Sequence, residues 1–306
     1  MSNILVSGVV NFETNVPIHS FPIPYTPVCY PTNQITSSLG GVAFNVSKAL
    51  STLTDNVTLL SMIGNDLESF VILNGLKQFN IKTDYIQQIL NASPRSVILY
   101  DGFGKRRIHS DIKDLQQKSI SFDSVDLTSF DVIVACNVNF NRPLLQKARN
   151  TKKVIAVDVH VLRNVFDEYN KDFLNAANIL FLSDEGIAEG QHIDFIYQLK
   201  CNYPADIIVM GCGSKGALLY TRTGDKLYNF AVVPNHNIVN TIGAGDSLFS
   251  SFIHFYTKGD SAVEALKKAE IFASKKISSN GSSLGFLSEK EIEELFVTTN
   301  IQVTEL

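Results

Sequence analysis

Apolar positions along this chain fall into two periods. Short runs are apolar at nearly every position: Ile4-Leu5-Val6, Val57 to Met62, Val132 to Cys136, Val154 to Asp158, Ile179 to Leu182 and Ile207 to Met210. Runs of that length and density predict strands buried on both faces. Between them, apolar residues recur at helical spacing. Val42 to Leu53 carries Phe44, Val46, Ala49, Leu50 and Leu53 on one stripe, and Leu67 to Phe79 is amphipathic. Pro143 to Arg149, Phe173 to Ala177 and Phe195 to Leu199 are further helical segments. Near the end, Leu248, Phe249, Phe252, Ile253 and Tyr256 mark a helix that Lys258 and Gly259 close, a cation in the last turn and a glycine just past it. Ser261 and Glu264 form a capping box for a helix running to about Ile277, and Glu289 to Phe296 is a last short one. Strands alternating with helices predict an α/β fold with a mostly parallel central sheet between helical layers and right-handed crossovers.

Two regions depart from that alternation. Pro17 to Pro31 includes Pro22, Pro24 and Pro27, which excludes a helix or central strand and predicts extended edge structure on a small accessory layer. Val97 to Tyr100 and Arg107 to His109 flank Asp101-Gly102-Phe103-Gly104-Lys105, a hairpin signal. The expectation is that this hairpin pairs with the proline-rich segment as one small sheet, a lid. Ser37-Ser38-Leu39-Gly40-Gly41 is read as opening the helix that follows. Ala217 to Tyr220 and Phe230 to Val233 read as strands around the turn Thr223-Gly224-Asp225.

Composition adds bounds. The 306 residues are 45% hydrophobic and 18% charged, which allows a full-sized core. A net charge of -4 is no footprint for nucleic acid, and Lys105-Arg106-Arg107 is read as a solvated turn. Cys29, Cys136, Cys201 and Cys212 are scattered, which argues against a disulfide framework or zinc site, and Cys136 and Cys212 are expected to be buried thiols. With no secretory start and no bilayer-length apolar stretch, no membrane partner is expected and the cytoplasm is the default location.

The candidate chemistry lies in three places. The first strand ends in small and polar residues, Ser7 to Glu13 with Asn11 among them, which suits a ligand site at a strand's carboxyl end. Gly243-Ala244-Gly245 precedes a helix start, where unpaired N–H groups and the helix dipole attract an anion. Asp246 beside it is repulsive to that anion. It is either a helix cap or a general base for phosphoryl transfer. Asn45, a poor helix former, either bonds the preceding turn or faces the same mouth as Glu13. Gly211-Cys212-Gly213-Ser214-Lys215-Gly216 matches G-x-G-x-x-G, but strands rather than a helix follow it, which disfavours a dinucleotide site. No P-loop pattern exists.

Gly40-Gly41-x-x-x-Asn45-x-x-x-Ala49-Leu50 resembles the first signature of the ribokinase-like carbohydrate kinases, the phosphofructokinase B type. Asn240-Thr241-Ile242-Gly243-Ala244-Gly245-Asp246-Ser247 resembles their second, D-T-x-G-A-G-D, in the same order and at a fitting distance. The resemblance covers nearly the whole chain. It implies a single domain over 1–306, a ribokinase-like three-layer sandwich with a small β lid from about 14–36 and 95–112. It implies ATP-dependent phosphorylation of a hydroxyl, a primary one, on a small sugar. A nucleoside kinase on the same fold, with Phe12, Tyr25 or Phe103 as a shelf for the base, and an inactive sugar-binding regulator remain as alternatives. By position, Asp246 would be the base, Gly243, Ala244 and Gly245 the anion hole, and Asn11, Glu13, Gly40, Gly41 and Asn45 the sugar contacts. Gly211, Gly213 and Gly216 would border ATP, with Asn280 near the adenine. Magnesium would arrive with ATP, its waters organised by Asp184 or Glu185 in Ser183-Asp184-Glu185-Gly186, where the family has N-x-x-E. Asn240 replaces the acid that helps hold the ion in members activated by a monovalent cation, so the resemblance leaves a potassium requirement open. Glu13 stands where the family usually has aspartate, which suggests a substrate other than plain ribose. A homodimer through the lid is also implied.

Overall fold

The structure is a computed structural model and describes residues 1–102 and 105–306. Along the first half run β1 (Asn3–Ser7), β2 (Asn11–Pro17), β3 (Thr36–Gly40), α1 (Val42–Thr52), β4 (Asn56–Ile63), α2 (Leu67–Gln78), β5 (Lys82–Gln88), β6 (Arg95–Tyr100) and β7 (Arg106–Asp111). Then come β8 (Val132–Ala135), α3 (Arg142–Asn150), β9 (Val154–Val161), α4 (Lys171–Ala176), β10 (Ile179–Ser183), α5 (His192–Asn202) and β11 (Ile207–Gly211). β12 (Ala217–Thr221), β13 (Lys226–Phe230), α6 (Ala244–Thr257), α7 (Ala262–Lys276), α8 (Glu289–Thr298) and β14 (Val303–Glu305) complete the chain.

Ten strands form one sheet in the order β14-β13-β12-β11-β10-β9-β8-β1-β4-β5. From β11 to β5 neighbours run parallel, and β12, β13 and β14 add antiparallel edges. Alternate strand residues feed two cores, as a period of two requires. Ile4, Val6, Ile207 and Val209 join α1, α6, α7 and α8, while Leu5, Ile208 and Met210 join α3, α4 and α5. The three-layer α/β sandwich expected from the alternation is what the chain forms. Strand order reverses between β1 and β8, so the crevice at their carboxyl ends is the topological switch point, where such sheets bind ligands.

The second sheet, in the order β3-β2-β6-β7, corrects several expectations. Its central strand β2 lies before most of the prolines and pairs in parallel with β6. The stretch from Ile18 to Ile35 contains no strand and is largely exposed, because successive prolines offer no N–H to a ladder. Residues 36–40 do not open a helix. They form β3, antiparallel to β2, and helix α1 starts only after Gly41 turns the chain at φ 90. The strand expected at 230–233 lies at 226–230, its register set by Ala217 facing Phe230. β5 and β14 escaped the sequence reading because edge strands of mixed polarity show no apolar run. The hairpin tip residues Phe103 and Gly104 lie outside the described residues. Lys105 to Arg107 is not merely a solvated turn: Arg106 belongs to β7 and donates to Thr241 Oγ1 at 2.9 Å.

Cys29 and Cys201 are exposed, whereas Cys136 and Cys212 are buried. Burial pushes both buried thiols up, Cys212 to about 12. Titration of the native protein with Ellman's reagent is therefore expected to show two fast thiols, with the other two appearing only in denaturant. Three or more fast thiols would contradict this packing.

Candidate active site

The Gly243 to Asp246 turn is positioned by the packing of α6. Phe249 and Phe252 are buried and meet the Phe181 ring of β10 at 4.9 and 5.2 Å between centroids. Each ring contributes on the order of 1.5–3 kcal/mol by burial. Gly243, not Asp246, is the N-cap, at φ 78 in the left-handed region. A Cβ there would lie 2.1 Å from the Ser282 carbonyl oxygen, so only glycine fits. Asp246 is the third helical residue, and the cap reading of it is thereby excluded. The Ala244 N–H bonds Thr241 O at 3.2 Å, while the Gly243 and Gly245 N–H groups have no such partner among the described residues.

Asp246 is buried, and its Oδ2 accepts from Asn45 Nδ2 at 2.7 Å. Asn45 thus does not bond its preceding turn, and its Oδ1 is a buried acceptor without a protein partner. Burial pushes the Asp246 carboxyl up. The His160 imidazole and the Asn45 amide pull it back, and Asp158 adds to the rise. Asp158, His160 and Asp246 present ligand atoms that all lie within 4.8 Å of one another. His160 is held at φ 58, and its N–H bonds Asp158 Oδ1 at 2.8 Å. The sequence reading missed Asp158 and His160 as site residues. Their signal was available: they close β9 at its carboxyl end. The three groups could gather a cation, but it would occupy the carboxylate of Asp246.

Glu13 approaches from β2. Its carboxyl is buried and pushed up by burial, against bonds from Asn15 Nδ2 (3.5 Å) and Ser282 Oγ (3.4 Å), and Asp246 raises it further. A Cβ on Gly40 would fall 2.5 Å from Glu13 Oε2 and 2.9 Å from Asn11 Oδ1, and one on Gly41 would fall 2.5 Å from Val9 O. Both glycines let the chain pass close to these polar groups. Asn11 Nδ2 donates to Ser96 Oγ at 2.7 Å, leaving its buried Oδ1 unpaired. Asn11, Glu13, Gly40, Asn45 and Asp246 therefore converge.

The second group of expected residues lies at the end of β11. Cys212 to Gly216 is a tight turn closed by Cys212 N–H to Gly216 O at 2.8 Å. A Cβ on Gly213 would meet nothing within 4 Å, so that glycine is open to the surroundings. Gly216 is different: a Cβ would lie 2.0 Å from Phe230 O, so the β12–β13 hairpin requires it. Gly211 O accepts from the Asp184 N–H at 3.0 Å, and the Asp184 carboxylate lies 3.8 Å from His192 Nε2. Glu185 is exposed. Asn280 accepts at Oδ1 from Asn240 Nδ2, 3.2 Å away, tying the loop after α7 to the start of the second signature.

A family model described as pfkB family carbohydrate kinase matches residues 3–289. The chain belongs to that family, and it is accordingly a sugar or nucleoside kinase that transfers a phosphoryl group to an alcohol. It is similar to the fructosamine kinase FrlD of Bacillus subtilis (strain 168), 24% identical over 81% of this chain and 87% of that one. Among solved structures, a microbiome-derived acarbose kinase, Mak1, superposes with a TM-score of 0.88 at 20% identity, covering 97% of this chain and 99% of that one. A ribokinase of Arabidopsis thaliana complexed with ribose and ATP gives 0.81 at 17% identity, covering 96% and 98%. Among the described residues no helix is long and apolar enough to cross a membrane.

Proposed function

We propose that the protein phosphorylates a primary hydroxyl of a small sugar at the expense of ATP, with Asp246 as the base and the Gly243–Gly245 turn as the anion hole. The observation that carries this is the Asn45–Asp246 bond of 2.7 Å, made inside the first turn of α6. It joins the two signatures at one carboxylate and aims that carboxylate at the mouth shared with Glu13. A carboxylate in hydrogen-bond reach of a hydroxyl takes its proton as phosphorus–oxygen bonding develops, and the N–H groups stabilise the charge that builds on the phosphoryl oxygens.

The acceptor is read from the pocket's chemistry. Asn11 Oδ1 and Asn45 Oδ1 are buried acceptors without protein partners, suited to sugar hydroxyls. The residues proposed as a shelf for a nucleobase support it less. Phe12 packs into the core, Tyr25 is 92% exposed, and Phe103 lies outside the described residues. Gly211, Gly213, Gly216 and Asn280 are proposed to border ATP. Asp184, a hard oxygen donor beside Gly211, suits the waters of a magnesium ion better than exposed Glu185. Such an ion would neutralise charge on the triphosphate. The four-stranded sheet serves as the lid within one domain, and its exposed outer strand β7 leaves an edge suited to a homodimer.

An ADP-release screen over pentoses, hexoses, sugar acids, amino-modified sugars and nucleosides tests the proposal. Turnover is expected with one or more free sugars or sugar derivatives, and Glu13 disfavours plain ribose as the best of them. Turnover of nucleosides alone would overturn the sugar reading, and no turnover at all would favour the inactive regulator.

A further inference from the structure

Lys276, in the last turn of α7, is fully buried, and among the described residues it forms no ion pair. Its Nζ donates instead to the carbonyl oxygen of Ile242. A buried ammonium without a carboxylate partner is costly and calls for a reason. The Ile242 carbonyl belongs to the same peptide unit as the Gly243 N–H, and in a trans peptide the two point in opposite directions. The ammonium therefore lies behind the turn whose front carries the anion-hole amides. A cation on the carbonyl polarises the peptide and makes its N–H a stronger donor.

Beside Lys276, the loop over 238–243 carries no acid to hold a second cation. Asn240 is neutral, and its side chain is engaged on both sides, Oδ1 with Ile242 N–H at 2.8 Å and Nδ2 with Asn280 at 3.2 Å. The Val239 and Asn240 N–H groups bond Ile277 O at 2.8 and 3.0 Å, which docks the loop on the end of α7 beside Lys276. Burial lowers the Lys276 ammonium to about 8, which leaves it charged at neutral pH; among the described residues Asp246 from α6 and Glu13 from β2 favour the charge, and Arg106 from β7 opposes it. A potassium ion does not fit this loop while Lys276 is in place, because the ammonium already occupies the Ile242 carbonyl and supplies the charge there.

We propose that Lys276 is a built-in cation behind the anion hole, a positioning residue that replaces a bound monovalent ion, so that phosphoryl transfer here needs no potassium or ammonium. The inference rests on the proposed roles of Asp246 and the Gly243–Gly245 turn.

The experiment compares the intact protein with Lys276→Met and Lys276→Ala in tetramethylammonium, sodium, potassium and ammonium chloride at one ionic strength. The unmodified protein is expected to change its kcat less than about twofold between salts. Lys276→Met is expected to lower kcat about tenfold or more, with the acceptor KM nearly held, because the lost charge acts on the transition state. Lys276→Ala, which leaves space, is expected to regain part of its kcat with potassium or ammonium, a rescue that a purely packing role would not show. Tm is read in the same salts, with potassium raising it over sodium only in Lys276→Ala. Severalfold potassium activation of the unmodified protein, full kcat in Lys276→Met, or a potassium-raised Tm in the unmodified protein overturns the proposal. The Tm comparison holds even if no acceptor is found, whereas failure of every acceptor in every salt sinks the phosphotransfer reading instead.

Discussion

Asp246→Asn is expected to lower kcat about 10²- to 10⁴-fold, the range for a lost general base, while leaving the acceptor's affinity nearly unchanged. Asparagine keeps an oxygen for the Asn45 amide, so the bond of 2.7 Å has a substitute and the pocket keeps its shape. The pH profile supplies an independent sign. A general base works deprotonated, so activity falls as pH drops through its pKa. Burial places that pKa above the ordinary value of 3.8, and the acid limb should vanish in the variant. Stability moves the other way. A carboxyl whose folded pKa is raised binds protons more tightly in the folded state, so its ionisation costs stability as pH rises through that raised pKa. The neutral amide lacks this cost, and Tm at neutral pH should hold or rise. Steady-state kinetics with a thermal melt tests both halves, and unchanged turnover would remove Asp246 from its assigned role.

Gly243→Ala should be the most damaging change of a single methyl group. The alanine must adopt φ 78, at about 1–2 kcal/mol, and its Cβ would lie 2.1 Å from a backbone oxygen that no side-chain rotation can move. Either the turn or the Ser282 segment must shift, and Ser282 Oγ also bonds Glu13. Losing the alignment of one anion-hole donor costs about 10²–10³ in kcat. The strain should lower Tm by a few degrees, at about 1.5 °C per kcal/mol for a chain of this length. Gly245→Ala is the control. Its Cβ would meet nothing within 4 Å, and it is expected to fold normally with a much smaller loss. Equal activity in the two variants would show that the turn does not act as a rigid donor array.

The two signatures were legible because each contains a glycine whose absence of a side chain is forced. Gly41 and Gly243 each adopt a positive φ where a Cβ would collide with a backbone oxygen, and that requirement marks the sequence directly. Gly216 carried the same mark for another reason, the approach of Phe230, so a glycine pattern alone did not separate a ligand turn from a hairpin. Lys276 left no mark at all: a lysine in a helix's last turn reads as a solvated partner of the dipole. Arg106 read as part of an exposed basic triplet for the same reason.

The sequence by itself determined the layered α/β architecture, because buried strands and amphipathic helices write their periods into consecutive residues. It also marked the Gly243–Asp246 turn as a candidate site, since a helix start and its acid are local, while leaving Asp246 open between cap and base. Only the tertiary structure decided which distant groups share that turn's field: Asn45 from α1, Glu13 from β2, Asp158 and His160 from β9, and Lys276 from behind. Electrostatic and hydrogen-bond partnerships depend on distance in space, and the strand order that brings these elements to one end of the sheet is not a property of any stretch of neighbours.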